Sequence, residues 1–232
     1  MVKYQHYSFD LWLTLIRSNP LFKQERTNFF YQHFNLQHKT IEETAFIFRQ
    51  VDLMVNAVNE KTGKNIDADE MYLMVISLLN DGKFPFQEID MDLLEAEMEN
   101  LLFKHLPLVY CDQTRSALEH ICNTGESTTS ILSNTGFIRG KTLRKVLKEL
   151  DLEQYFDFQL YSDEAGMSKP NPDFFKLMLN QIAVIRKTES TCLHKIIHIG
   201  DNQKADVKGA CAVGIESLLI NSNNHRILSL IN

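Results

Sequence analysis

Lys195-Ile-Ile-His-Ile-Gly-Asp201 is the stretch that decides the fold: a short apolar run that stops at a Gly-Asp turn. A run of that length reads as a buried strand. Beyond it come a helix pattern from about Lys204 to Val213 and then a second strand, Glu216-Ser-Leu-Leu-Ile220. The same alternation extends backwards. A helix over Thr114–Cys122 stops at the turn Asn123-Thr-Gly125, and the strand Ser130-Ile-Leu132 ends at Ser133-Asn134. A basic amphipathic helix over about Lys141–Leu150 leads to the strand Phe158–Tyr161. Pro170 and Pro172 flank the start of a helix running through Phe174 to Ile182. At the other end of the chain, His6-Tyr-Ser-Phe9 is a β-type run that ends at Asp10 and leads into Leu11-Trp-Leu-Thr-Leu15. Strands alternating with helices predict a parallel sheet covered on both faces.

Between Asn19 and Leu106 the signals are all helical. Asn19-Pro20 is an N-cap and first-turn pair ahead of Phe22, Phe29, Phe30 and Phe34. Thr40-Ile-Glu-Glu43 reads as a capping box before Ile41, Ala45, Phe48, Val55 and Val58. Asp67 and Glu70 repeat that spacing ahead of Met71–Leu79. A fourth helix follows Asp90 with Leu94, Met98, Leu101 and Leu102, and Pro107 ends it. The expected fold is therefore α/β, a Rossmann-like parallel-sheet core (1–16 and 107–232) with an α-helical cap inserted at 17–106.

Composition narrows the function. The 232 residues are 44% hydrophobic and 23% charged, and the net charge is −6. No Lys/Arg run supplies the basic stripe a nucleic-acid groove needs, so nucleic acid is not an expected partner. No apolar run reaches the ~20 residues of a membrane span. Met1-Val-Lys-Tyr-Gln-His6 lacks the layout of a signal peptide. Cys111, Cys122, Cys192 and Cys211 form no C-x-x-C pair and no metal-ligand spacing, and are expected as buried free thiols. Together these predict a cytoplasmic protein; no feature of the sequence sets its oligomeric state.

Four polar positions fall at or near the C-terminal ends of separate strands: Asp10, Ser133, the loop carrying Lys169, and Asp201. Ligands of open α/β sheets bind just beyond those ends. Each alone has an ordinary explanation, as turn residue, helix cap or solvated cation. Together they supply a nucleophile, a hydroxyl donor, a cation and a metal-binding carboxylate.

Phe9-Asp-Leu-Trp-Leu-Thr-Leu15, Ile131-Leu-Ser-Asn-Thr135, Ser168-Lys-Pro-Asn-Pro172 and Ile199-Gly-Asp-Asn-Gln-Lys-Ala-Asp206 resemble the four ordered motifs of the haloacid dehalogenase-like hydrolase superfamily. The helical insertion after the first motif resembles that family's four-helix cap. The resemblance implies that Asp10 attacks phosphorus, or a carbon bearing a leaving group, to give a covalent aspartyl intermediate. It implies Mg²⁺ held by Asp10, Asp201 and the backbone carbonyl of Trp12, with Asp206 as a supporting or water-mediated ligand. Ser133 and the backbone around Asn134 would bind phosphate oxygens, Trp12 would face the substrate, and Lys169 would offset the gathered charge. The expected substrate is a small phosphorylated or otherwise anionic molecule.

The departure from the family pattern lies two residues after the nucleophile. Phosphatases of this family usually carry a second Asp there as proton donor and acceptor; this chain has Trp12, followed by Leu13 where Gly is common. Haloacid dehalogenases also have an aromatic residue there, but lack the Gly-Asp-x-x-x-x-Asp spacing that Gly200, Asp201 and Asp206 keep. The leading expectation is an Mg²⁺-dependent phosphatase, slowed by roughly 10²–10⁴ through the missing proton transfer. The alternatives are a dehalogenase-type hydrolase using Asp10 and a low-activity binding pseudoenzyme.

Several other features have plainer readings. Gly136-Phe-Ile-Arg-Gly140-Lys-Thr142 misses the P-loop spacing by one residue, which leaves Lys141 and Arg144 as surface residues. His198, mid-strand, reads as a satisfied core histidine. Phe46, Phe48, Met54, Met71 and Met74 read as cap core. Arg17 is either a solvated hinge residue or a group facing substrate.

Overall fold

The structure, a computed structural model, describes residues 4–123, 125–188 and 192–230. Thr124 of the expected turn and Met1–Lys3 of the N-terminal segment lie outside them.

β1 (His6–Phe9) is buried along its whole length, as a central strand must be. A two-residue strand β2 (Ile16–Arg17) then leads to four helices: α1 (Pro20–His33), α2 (Ile41–Thr62), α3 (Ala68–Leu79) and α4 (Met91–Lys104). β3 (Leu108–Val109) returns antiparallel to β2, pairing Ile16 with Val109 and Arg17 with Leu108. This ribbon is too short to leave a hydrophobic pattern, which is why the sequence did not reveal it. It ties the two crossings between the helices and the sheet, and Asn19 Nδ2 adds a bond to Leu106 O at 3.1 Å. Arg17 is exposed on the ribbon.

The rest alternates as expected: α5 (Thr114–Asn123), β4 (Thr128–Ser133), α6 (Gly140–Glu149), β5 (Phe158–Tyr161), a single turn α7 (Ser162–Ala165), α8 (Pro172–Arg186) and β6 (Ile196–Gly200). The single helix expected over Lys204–Val213 is instead a π-turn at Gln203–Lys208 followed by α9 (Gly209–Ala212). β7 (Glu216–Leu219) closes the sheet, whose order is β5-β4-β1-β6-β7, with all neighbours parallel.

Strand alternation divides the core. Tyr7, Phe9, Ile131, Ile197 and Ile199 pack with α5 and α6 residues such as Leu118 and Val146. The other face meets α8 through Phe174, Phe175, Met178 and Ile182. On that second face β1 carries His6 and Ser8, which are buried and bonded to neighbouring strands. His6 reaches Thr128 Oγ1 and Ser130 Oγ at 2.8 and 2.9 Å, and Ser8 Oγ lies 2.9 Å from His198 Nδ1. His198 is thus a satisfied core histidine, stacked edge-on against Phe175.

The helices α1–α4 have a separate core of Phe30, Val51, Val55, Met71, Val75, Ile76 and Leu79. Their caps form as read. Asn19 accepts from Leu21 N, Thr40 and Glu43 close a capping box, Asp67 N donates to Glu70, and Asp90 accepts from Leu93 N. Two residues expected in this core are on the surface: Phe46 is 61% and Met54 46% exposed, and Val58 is also exposed. α2 buries one stripe, Ile47, Phe48, Val51 and Val55, and those three lie off it. The cysteines are free, but Cys111 and Cys122 are only half-buried, and Cys192 and Cys211 are exposed. No helix among the described residues is long and apolar enough to cross a membrane.

Candidate active site

β1 delivers Asp10 to the middle of the sheet's C-terminal edge, where its N–H donates to Ile199 O at 2.8 Å. The chain then turns sharply: Leu15 N and Ile16 N both donate to Leu11 O, at 2.9 and 3.0 Å. Leu13 makes this turn with φ +58°, a left-handed conformation that costs a leucine roughly 1–2 kcal/mol. Asn221 Nδ2 braces the turn by donating to Leu13 O and Thr14 O at 2.9 and 3.1 Å. The result aims Thr14 back at Asp10, and its hydroxyl donates to Asp10 Oδ2 at 3.1 Å.

Asp10 Oδ1 accepts from Ser133 Oγ at 3.0 Å and from Lys169 Nζ at 2.7 Å. Ser133 is fully buried at the end of β4. Lys169 comes from the α7–α8 loop, and the Asn134 side chain clamps that loop. Asn134 Oδ1 accepts from Lys169 N at 2.7 Å, and Nδ2 donates to Lys169 O at 3.0 Å. The Asn134 carboxamide therefore serves the lysine loop, while the residue still lines the cavity over the sheet edge.

Lys169 also donates to Asp206 Oδ1 at 2.6 Å. Asp206 is 1% exposed, on the π-turn, and is held by His198 Nε2 at 3.1 Å and by Asn202 N at 2.9 Å. The extra residue of the π-turn swings Asp206 inward over Gly200. A Cβ on Gly200 would come within 2.1 Å of the Asp206 carboxyl, so only glycine fits there. Asp201 comes directly after and completes the group. One ligand atom from each of Asp10, Asp201 and Asp206 lies within 4.8 Å of the others.

The electrostatics arise from two buried carboxylates, Asp10 and Asp206, sharing one ammonium, with the half-buried Asp201 beside them. Burial favours the neutral lysine, but Asp10 and Asp206 outweigh it and hold Lys169 above its ordinary value. Burial pushes Asp206 up, but Lys169 and His198 more than offset this, and it lies below the usual carboxylate range. Burial lowers His198, which is neutral. Asp10 is raised by burial, only partly countered by Lys169. Asp201, with no cation of its own, is pushed up to about 7 by burial and by repulsion from Asp10 and Asp206. This is the donor set and the charge imbalance that a hard divalent cation relieves.

Above these groups lies a cavity of about 700 Å³ between the sheet edge and the helical insertion. Asp10, Asn134, Lys169, Asp201 and Asp206 line one side, together with Trp12, whose ring is half-buried against the main core. The other side belongs to α1 and α2, with Phe22, Lys23, Arg26, Phe48 and Arg49. Arg17 does not line it. Arg26 was missed in the sequence although a signal existed: Phe22, Arg26 and Phe30 succeed one another at i, i+4 and i+8, which puts a guanidinium on an apolar stripe. Glu60 latches the two sides by accepting from Asn202 Nδ2 at 3.0 Å and from Lys204 Nζ at 2.8 Å.

The family model described as haloacid dehalogenase-like hydrolase matches residues 7–220. Haloacid dehalogenase-like hydrolase domain-containing protein 3 of Bos taurus is 36% identical over 80 residues, 34% of this chain and 29% of that protein. A phosphorylated carbohydrates phosphatase of Thermotoga maritima is 31% identical over 72 residues, 31% of this chain and 30% of that protein. The matched stretch thus spans about a third of the length of these curated relatives. The structure of a 2-haloacid dehalogenase from Pseudomonas syringae superposes with TM-score 0.64 at 18% identity, covering 96% of this chain and 88% of that one; at that identity it shows the shared fold alone.

Proposed function

This chain belongs to the haloacid dehalogenase-like hydrolase family, and on that premise we propose that it is an Mg²⁺-dependent phosphatase of small phosphorylated metabolites in the cytoplasm. The observation that carries the reading is the cluster of Asp10, Asp201 and Asp206 around a single Lys169. A metal-free hydrolase has little use for a third carboxylate held at such electrostatic cost. In this proposal Asp10, Asp201 and the Trp12 carbonyl hold Mg²⁺, which when bound neutralises the phosphate and polarises the transferring group.

The chain's own residues do the rest. Thr14 and Lys169 fix the Asp10 carboxylate at the cavity. Asp10 takes the phosphoryl group as an acyl phosphate while the P–O bond to the alcohol breaks and the departing oxygen takes a proton from solvent. Water then cleaves the acyl phosphate, releasing phosphate and freeing Asp10. Lys169 supports the charge on the transferring oxygens, and Asp206, tied to Lys169, His198 and Asn202, keeps the ammonium in place. Ser133 and the backbone at Asn134 receive phosphate oxygens. The helices of 17–106 form a cap that excludes water from the core of 1–16 and 107–232.

Trp12 favours the second reading, a carbon-centred hydrolase, since it leaves no carboxylate at the position that would protonate an alkoxide. A halide leaves without a proton and needs none. The two readings separate in one assay: hydrolysis of phosphomonoesters against 2-haloacids, with and without excess chelator. Phosphate release abolished by chelator supports the proposal. Chelator-indifferent dehalogenation overturns it.

A further inference from the structure

Arg26 is 8% exposed, yet it lines the cavity. Phe48 and Phe137 cover its guanidinium, with ring centroids 4.1 and 4.5 Å from Cζ, and the Phe22 ring lies at 5.4 Å. Such contacts hold the guanidinium flat and relieve part of its desolvation. They do nothing for its in-plane N–H groups, which need acceptors. The Nε–H is fully buried and has no hydrogen-bond partner. The Tyr72 hydroxyl, which donates its own proton to Phe137 O at 3.0 Å, accepts from the Arg26 guanidinium, but as a neutral group it supplies no counter-charge.

No carboxylate pairs with Arg26 among the described residues. Asp52, the acidic group nearest in charge effect, is engaged by Arg49 at 3.4 Å. Across the cavity, Asp10 and Asp206 are paired with Lys169 and Glu60 with Lys204, and Asp201 faces the other two aspartates and forms no ion pair with Arg26. Lys23, one turn before Arg26 on α1, also lines the cavity and forms no ion pair among the described residues. Burial shifts Arg26 towards the neutral form, but a guanidinium keeps its proton in any protein environment. A buried, charged, planar donor without a counter-ion, held rigid at the wall of a substrate cavity, is built for a planar or tetrahedral oxyanion.

We infer that Arg26, assisted by Lys23, is a specificity-determining subsite for a second oxyanionic group of the substrate, a carboxylate or a further phosphate, carried on the part of the molecule remote from Asp10. This rests on the phosphatase reading only for the first group; the second is read from Arg26 itself. The substrate class narrows from phosphomonoesters in general to those that are anionic at both ends, and plain alkyl or aryl phosphates become poor ligands.

The test is binding, so that it does not depend on turnover. The full chain carrying Asp10→Asn is titrated calorimetrically, with MgCl₂, against matched pairs: a short homologous series of ω-phosphooxy carboxylates, the corresponding ω-phosphooxy alcohols, and the bisphosphates of the same diols. At the best-fitting chain length the doubly anionic ligand should bind at least about ten-fold tighter than the alcohol. Arg26→Lys, which keeps the charge but not the planar fork, should cut that ratio to about three-fold or less, and Arg26→Met should abolish it. Carboxylate and bisphosphate arms tell the two sources of the oxyanion apart. Equal binding within every pair overturns the inference without any variant, and so does a ratio unchanged in Arg26→Lys. Discrimination with no phosphate release by the Asp10 protein keeps the subsite and removes the phosphatase reading. Phosphate release without discrimination does the reverse.

Discussion

The sheet edge and the helical cap bury polar groups in opposite ways. At the sheet edge, Asp10, Ser133, Lys169, His198 and Asp206 each meet at least one partner within 3.1 Å, and removing one disturbs its neighbours. Across the cavity, Arg26 is equally buried but sits among aromatic rings with an unmet donor. In the proposed reading the closed network serves the chemistry and the open cation serves the choice among substrates. Variants on the sheet side should therefore change rate or stability, and variants on the cap side should change selectivity.

The largest expected effect is at Asp10. Asp10→Asn should lower turnover by on the order of 10⁴-fold or more while the fold persists, because the amide oxygen still accepts from Lys169 and Ser133, and the Thr14 hydroxyl can turn to accept from the amide N–H. A folded Asp10→Asn protein with substantial turnover on a verified substrate would remove the nucleophile from the sheet side of the comparison.

Trp12 comes next. With no base at this position, hydrolysis of the acyl phosphate should lag its formation, giving a burst of leaving group from aryl phosphates in stopped-flow. Trp12→Asp should raise the steady rate by up to roughly 10²–10⁴. The half-buried ring packs on the main core, so some stability is lost, less than the roughly 3–5 kcal/mol of a fully buried Trp. Rapid turnover without a burst would show that another residue acts as base.

Asp206 and Asp201 should part company. Asp206→Ala leaves the fully buried Lys169 short of a partner and should cost about 3–5 kcal/mol in denaturant titration. Asp201→Ala should leave stability nearly unchanged or higher and instead abolish the stabilisation by MgCl₂. Equal losses of stability would blur the distinction between network and ligand.

A pH dependence sharpens the same point. With Asp201 raised to about 7, the folded protein without metal holds a proton there that the unfolded chain has lost above the ordinary carboxylate range. The stability this contributes is complete below the unfolded value and fades as pH rises through about 7, where ionised Asp201 meets Asp10 and Asp206. Mg²⁺ should therefore raise the melting temperature more above pH 7 than below it, and Asp201→Asn should flatten that difference. The smallest effect is expected at Leu13. Leu13→Gly relieves the positive φ but adds entropy to the unfolded chain, for a net change of about 1 kcal/mol or less in favour of the folded state.

The same contrast governs how much was legible in the sequence. Asp10, Ser133, Lys169 and Asp201 were readable because strand ends and motif spacing place them without any knowledge of packing. The cap helices were readable from Asn19, Thr40, Asp67 and Asp90, whose caps act locally. Their orientation was not: Phe46 and Met54 are apolar yet exposed, while Arg26 is charged yet buried. Which stripe of α1 or α2 faces the cavity depends on docking against residues far away in sequence, such as Phe137. The conformation of Leu13 was illegible for another reason. A residue that disfavours left-handed geometry takes it where Asn221 and the Asp10 turn overrule its preference. The π-turn has no sequence signature apart from the tight fit of Gly200 against Asp206.

The seam of polar side chains on the α8 face of the sheet has a consequence for how the chain finds its pairing. His6 and Ser8 on β1, Thr128 and Ser130 on β4, and His198 on β6 satisfy one another only in the observed alignment, with Ser8 opposite both Ser130 and His198. Apolar strands of Ile, Leu and Phe would tolerate a sideways slip, because one such residue replaces another. Here a slip by one residue sends the histidines to the opposite face and strands their nitrogens among α5 and α6 side chains, and a slip by two leaves at least one ring without a hydroxyl. The seam thus acts as a proofreading device for strand alignment, and because of it Asp10 comes level with Gly200, one residue before Asp201.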